Sequence, residues 1–200
     1  MPRDFSIKSR SKKKPIILVT NDDGIHFEGI QILATALKSL GRVVIVAPDR
    51  EQSAVSHTLT LYRPLRVHEL SKDVYSVDGT PTDCVNLAVN EILRQQPDLV
   101  VSGINKGPNL GDDLNYSGTV SAALEGGILG IPSIAVSVST FEKHRFHPAA
   151  QFTKRLAKKI LKEGLPDDVI LNVNVPNVDE KKIKGYKFTT QGRLDYGNII

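Results

Sequence analysis

Residues 15–24 read PIILVTNDDG, a short apolar run that stops abruptly at four turn-forming residues. The run from Pro15 to Thr20 is rich in β-branched side chains and has no polar alternation, which predicts a strand buried on both faces. Asn21-Asp22-Asp23-Gly24 is turn chemistry: Asn and Asp bond their own backbone, and Gly accepts any φ. The same pattern recurs downstream. Arg42 to Ala47 (RVVIVA) predicts a second buried strand stopped by Pro48, Leu99 to Ser102 a third, Ile131 to Ser137 a fourth and Val169 to Val175 a fifth. Between them, helical spacing appears over residues 29–40, 80–94, 119–129 and 148–163. Thr80-Pro81-Thr82-Asp83 opens one of these helices with a capping box and a proline in its first turn. Thr58 to Glu69 and Val74 to Val77 read as extended segments paired antiparallel. Wholly apolar strands alternating with helices predict a Rossmann-like three-layer α/β sandwich with a mostly parallel sheet and right-handed crossovers.

The 200 residues suit one such domain, taken here as residues 15–200. The net charge of +4 belongs to a basic extension, since residues 1–14 hold six Lys and Arg side chains against Asp4 and the remaining chain is near neutral. That extension is expected to be a disordered, solvated tail rather than a nucleic-acid arm, because no nucleic-acid-binding motif accompanies it. No apolar run is long enough to cross a bilayer and the N-terminus has no apolar signal core, so a cytoplasmic protein without membrane attachment is expected. The one cysteine, Cys84, excludes an internal disulfide and a multi-cysteine zinc site, and its apolar neighbours predict a buried core residue. The chain lacks the phosphate-binding loop G-x-x-x-x-G-K-[ST], the dinucleotide fingerprint after its first strand, the G-x-S-x-G nucleophile elbow and the zinc motif H-E-x-x-H.

Ligands of parallel sheets bind beyond the carboxyl ends of the strands. Asn21, Asp22 and Asp23 follow the first strand; Asp49, Arg50 and Ser53 the second; Asn105 and Asn109 the third. Three segments therefore bring oxygen donors to one sheet edge. Two adjacent carboxylates are costly unless a positive charge lies between them, and an all-oxygen set suits Mg²⁺ or Mn²⁺. Residues 103–113 (GINKGPNLGDD) form a Gly- and Asn-rich loop of the kind that lets backbone approach a ligand. Ser117-Gly118-Thr119 opens a helix, where free N–H groups and the helix dipole favour a phosphate, though an ordinary N-cap explains the same residues. Lys106 can add positive charge. His57 is a candidate proton donor only through its closeness to Ser53.

Taken together, residues 16–29 (IILVTNDDGIHFEG), 47–53 (APDREQS), 79–84 (GTPTDC), 102–113 (SGINKGPNLGDD) and 117–126 (SGTVSAALEG) resemble the SurE family of survival proteins, in the family's order. The likeness is strongest over residues 16–140. It implies a metal-dependent phosphatase acting on nucleoside 5′-monophosphates, with 3′-monophosphates and polyphosphate as further substrates. It also implies one divalent metal per subunit, Mg²⁺ or Mn²⁺, and assembly as a homodimer or homotetramer. Carried over by position, the metal ligands are Asp22, Asp23, Ser53 and Asn105. Asp22 and Asp23 also take the catalytic role, and Asn109, Ser117, Gly118 and Thr119 lie at the phosphate. The basic extension and an end at Ile200, earlier than is usual, depart from the family pattern. A non-catalytic nucleotide-binding regulatory module is the alternative; it would keep the phosphate cradle and lose turnover.

Overall fold

A computed structural model describes residues 14–193, so all of the basic extension except Lys14 lies outside the described residues. Seven strands form one sheet: β1 (Ile16–Thr20), β2 (Arg42–Pro48), β3 (Val67–Ser71), β4 (Val74–Val77), β5 (Leu99–Lys106), β6 (Ser133–Ser139) and β7 (Leu171–Pro176). Their order is β3-β4-β2-β1-β5-β6-β7. Every neighbouring pair is parallel except β3–β4, which is an antiparallel hairpin. Helices α1 (Glu28–Leu37) and α4 (Phe146–Glu163) cover one face, and α2 (Pro81–Leu87) and α3 (Gly118–Ile128) the other. The expected three-layer α/β sandwich is the observed fold.

The apolar runs are buried because each strand feeds both layers. Ile17 and Val19 point into the core under α1 and α4, and Leu18 into the core under α2 and α3. All three are fully buried, as the two-residue period of a strand covered on both faces demands. Cys84 is likewise fully buried, in the second core. α2 begins at the predicted capping box: Asp83 N–H donates to Thr80 Oγ1 (3.1 Å) and Thr80 N–H to Asp83 Oδ2 (2.9 Å). The helix then widens into one π turn over Ala88–Ile92.

Two elements differ from the sequence reading. Of the extended segment expected over Thr58–Glu69, only the part from Val67 pairs in the sheet. Residues 58–66 are instead pinned by side chains. Thr60 donates to Asp83 from its N–H (2.9 Å) and its hydroxyl (2.6 Å), and Thr80 Oγ1 donates to Thr58 O (2.7 Å). Pro64, with no N–H, cannot complete a ladder there.

The second difference lies at the third predicted strand, which runs past Ser102 to Lys106. Its register with β6 shifts between Ser102 and Asn105, so that Asn105 pairs with Ser137. Gly103 makes this possible: its φ is +134°, and a Cβ there would lie 2.3 Å from Val136 O. The extension places Asn105 on a strand end instead of a free loop.

α1 is seated directly on that strand end. A Cβ at Gly29 would stand 2.3 Å from the carbonyl oxygen of Ile104, a backbone atom with no freedom to retreat. Gly→Ala inside a helix ordinarily stabilises by up to about 1 kcal/mol. Gly29→Ala is expected to do the reverse, destabilising by about 1–3 kcal/mol through overpacking. Urea denaturation of the variant, monitored by circular dichroism, measures the shift.

Candidate functional site

The turn after β1 is set by Asn21, whose buried side-chain amide donates to Gly24 O (2.9 Å). It turns the next two carboxylates into the protein. Asp22 is 5 % exposed, and the Asp23 side chain is 1 % exposed. Asp22 meets the start of α3, where Thr119 Oγ1 donates to its Oδ1 at 2.5 Å. Gly118 permits that approach, since a Cβ there would lie 2.8 Å from Asp22 Cβ. The loop after β2 joins through Gln52 N–H, which donates to Asp22 O (2.7 Å).

Asp23 is held differently. The ammonium of Lys106, from the last position of β5, lies 3.4 Å from Asp23 Oδ1 and 3.0 Å from Glu51 Oε1. The same Glu51 oxygen accepts the Ser53 hydroxyl at 2.7 Å. A chain of polar contacts thus runs from Ser53 through Glu51 and Lys106 to Asp23. Asp23 Oδ2 and Asn21 Oδ1 are buried with no hydrogen-bond partner.

The electrostatics follow from this burial. Desolvation raises the Asp22 pKa, partly offset by the Thr119 hydroxyl and backbone amide, which favour the ionised form. Burial, together with the neighbouring charge of Asp22, pushes Asp23 up to about 6, against the opposing pull of Lys106. Outside the pair the direction reverses: the Ser53 hydroxyl and Lys106 hold Glu51 below the usual range, and Glu51 raises Lys106.

The donor set fits a hard divalent cation. A partnerless buried carboxylate oxygen beside a second buried carboxylate lacks the positive charge that would justify both. Among the described residues no cluster of three or more His, Cys, Asp or Glu side chains is placed for a metal. Ser53 and Asn105, the neutral oxygen donors expected beside Asp22 and Asp23, make other contacts in this structure. Asn105 Nδ2 donates to Gly107 O (3.0 Å), so its amide nitrogen is already committed to the loop. Ser53 is exposed and touches neither aspartate directly.

The remaining expected residues have defined places. Asn109 is 5 % exposed and locked on all sides: its Nδ2 donates to Ser137 Oγ (2.8 Å) and its N–H to Asn174 Oδ1 (2.8 Å). Its carbonyl accepts from Asn172 and Asn174 Nδ2, both at 2.9 Å. Ser117 caps α3, accepting from Val120 N–H at 3.1 Å, so its hydroxyl serves the helix. His57 is not a free loop histidine, because its Nε2 lies 2.9 Å from Oε2 of Glu125, a 6 % exposed residue of α3. Glu125 Oε1 also accepts from Asn86 of α2 (3.1 Å).

Sequence reasoning missed Glu51, Glu125, Ser137 and the Asn172/Asn174 pair. The last had a signal: alternating asparagines in the apolar run VILNVNV put two amides on one face of β7. Glu51 and Glu125 had none, since a lone glutamate in a loop or helix reads as a solvated charge.

Comparison with known proteins adds to this geometry. The sequence model of the family described as Survival protein SurE matches residues 17–198. A relative from Geobacter sulfurreducens, named 5′-nucleotidase SurE, is 55 % identical over 185 residues, covering 92 % of this chain and 71 % of the relative. Another of that name, from Pelobacter propionicus, is 56 % identical over 186 residues, covering 92 % of this chain and 75 % of its own. The crystal structure of the SurE protein from Aquifex aeolicus superimposes with a TM-score of 0.87 at 54 % identity, over 90 % of this chain and 73 % of that one. By sequence along nearly its whole length and by fold, the chain belongs to the SurE family.

Proposed function

We propose that this chain is a divalent-metal-dependent 5′-nucleotidase, hydrolysing nucleoside 5′-monophosphates to nucleoside and phosphate. The observation that carries the reading is the buried Asp22–Asp23 pair, with a partnerless oxygen on Asp23, set against the N-terminal end of α3. The relatives named 5′-nucleotidase, more than half identical to this chain, support the substrate class. Asp22 and Asp23 would hold the cation, with Ser53 and Asn105 completing the set. Bound there, Mg²⁺ or Mn²⁺ supplies positive charge against the phosphate and makes water more acidic.

The protein's own groups carry the rest. Thr119, through its hydroxyl and backbone amide, favours the ionised form of Asp22 against the burial that raises its pKa, and fixes the orientation of the carboxylate. Ser117 caps α3, so the helix start presents its dipole, and the first-turn amide at Gly118, toward developing negative charge on the phosphoryl group. Asp23, ionised once the cation is bound, is suited to orient the attacking water beside it and to take its proton. The bonds from Asn172 and Asn174 to Asn109 fix the Gly- and Asn-rich loop against β7. Activity on 3′-monophosphates and polyphosphate, and assembly as a dimer or tetramer, belong to the same reading. Among the described residues no helix is long and apolar enough to cross a membrane.

The direct test is phosphate release from a panel of nucleoside 5′- and 3′-monophosphates and polyphosphate, with Mg²⁺, Mn²⁺ or EDTA. Release is expected only with metal, and Asp22→Asn is expected to lower kcat by about 100-fold or more. An Asp22→Asn protein that still binds nucleotide, beside a native protein that releases no phosphate under any metal, would replace the enzyme with a binding module.

The raised Asp23 pKa sets a pH dependence. Below about pH 6 Asp23 carries a proton that must leave when a cation binds. Mg²⁺ affinity is therefore expected to fall by up to about tenfold per unit as pH drops below that point. Titration calorimetry in two buffers of different ionisation enthalpy should show proton release at pH 5.5 that declines as the pH is raised. In the metal-free protein the raised pKa contributes stability that is present at acid pH and lost as pH rises through about 6. Added Mg²⁺ should restore Tm above that pH, which a thermal series with Mg²⁺ or EDTA reads out.

A further inference from the structure

Lys106 lies at the end of β5 with its side chain 38 % exposed, yet three groups surround its ammonium. Glu51 Oε1 is at 3.0 Å, Asp23 Oδ1 at 3.4 Å, and the centroid of the Phe27 ring at 5.6 Å. The two carboxylates are unlike. The side chain of Asp23 is buried and that of Glu51 is 51 % exposed on the loop after β2. The ammonium thus spans the step from the interior of the site to its mouth.

Two details make this more than a surface ion pair. Lys106 is the only cation that contacts either buried aspartate among the described residues' ion pairs, so it is the counter-charge that the turn after β1 has in this structure. And the oxygen that binds it on Glu51 is the same Oε1 that accepts the Ser53 hydroxyl. A lysine ammonium is a compact charge on a flexible stem and can shift between neighbouring carboxylates, as an arginine fork held in fixed geometry cannot. A divalent cation on Asp22 and Asp23 would repel it at this range.

Resting on the metal site argued above, we propose that Lys106 is the resident counter-cation of the site, exchanging with the divalent metal. In the metal-free protein it neutralises Asp23. When the cation binds, Lys106 leaves Asp23 and is retained by Glu51, while Ser53 leaves Glu51 Oε1 for the metal. Each group that moves takes the place another gives up, and the ammonium ends at the mouth of the site, beside the incoming phosphate. Glu51 is a positioning residue acting through Lys106 and Ser53.

Both side chains are at least partly exposed, so neither variant should threaten the fold. Calorimetric titration with Mg²⁺ alone at pH 8, without nucleotide, compares the native protein, Lys106→Gln, Glu51→Gln and the double variant. Lys106→Gln is expected to bind Mg²⁺ about tenfold more tightly, having no competitor to displace. Glu51→Gln should weaken Mg²⁺ binding, and do so less in the Lys106→Gln background, because much of its role runs through the ammonium. The Mg²⁺-loaded Lys106→Gln protein should in turn bind inorganic phosphate more weakly than the native one. Mg²⁺ binding by Lys106→Gln that equals or falls below the native value overturns the exchange and leaves the metal site standing, as does additivity of the two substitutions. No Mg²⁺ binding by any of the four proteins overturns the metal site and the exchange together.

Discussion

Two carboxylates, one after the other in sequence, are buried at the carboxyl end of the central strand β1, and much of the surrounding structure is arranged around the penalty this carries. Charges withdrawn from water destabilise the fold unless partners compensate, and like charges side by side add to the cost. Each neighbouring element contributes a partner. α3 brings the Thr119 hydroxyl to Asp22, and β5 brings Lys106 to Asp23. The loop after β2 fixes the Asp22 carbonyl through Gln52. Compensation is still incomplete, for burial keeps both carboxyls raised and one oxygen of Asp23 has no partner. Structural ion pairs seldom leave such a deficit, whereas functional sites use it.

Bringing so many elements to one point requires backbone to approach backbone, and glycine marks each contact. Gly118 lets the start of α3 reach Asp22, Gly29 seats α1 on the carbonyl of Ile104, and Gly103 lets β5 bulge past β6. These contacts are rigid because they involve main-chain atoms or short side chains. The turn that carries Asp22 and Asp23 is therefore held where strand and helix ends meet, which suits a chemistry that depends on fixed charges.

The loops that do border the site are tied back by buried polar side chains. Asn172 and Asn174 hold Asn109 from β7, which has two strands between it and β1. Glu125, halfway along α3, holds His57 in the loop that carries Ser53, and Asn86 in α2. One helix consequently reads both ends of the problem: its first turn meets Asp22, and two turns later it anchors the segment that brings Ser53 and Glu51 alongside. Lys106 and Glu51 are the exception to this rigidity, being long, partly exposed side chains able to rearrange where the rest cannot.

The layer architecture was legible in the residues alone, because apolar runs such as IILVT and VVIVA can be satisfied only by burial on both faces, and the capping box at Thr80 names its helix start without outside help. The convergence of Asp22, Asp23 and the Asn105 segment on one edge was equally legible, since parallel strands place all their carboxyl ends together. What periodicity could not decide was anything that depends on a partner distant in sequence. The continuation of β5 to Lys106 rests on a bulge against β6, the loss of strand over residues 58–66 rests on Asp83, and the role of His57 rests on Glu125, 68 positions away. Local sequence sets which residues prefer strand, turn or helix. Only the assembled sheet brings Glu51, Ser53, Lys106 and Asp23 within reach of one another, because their proximity is a property of the packing and of no single segment.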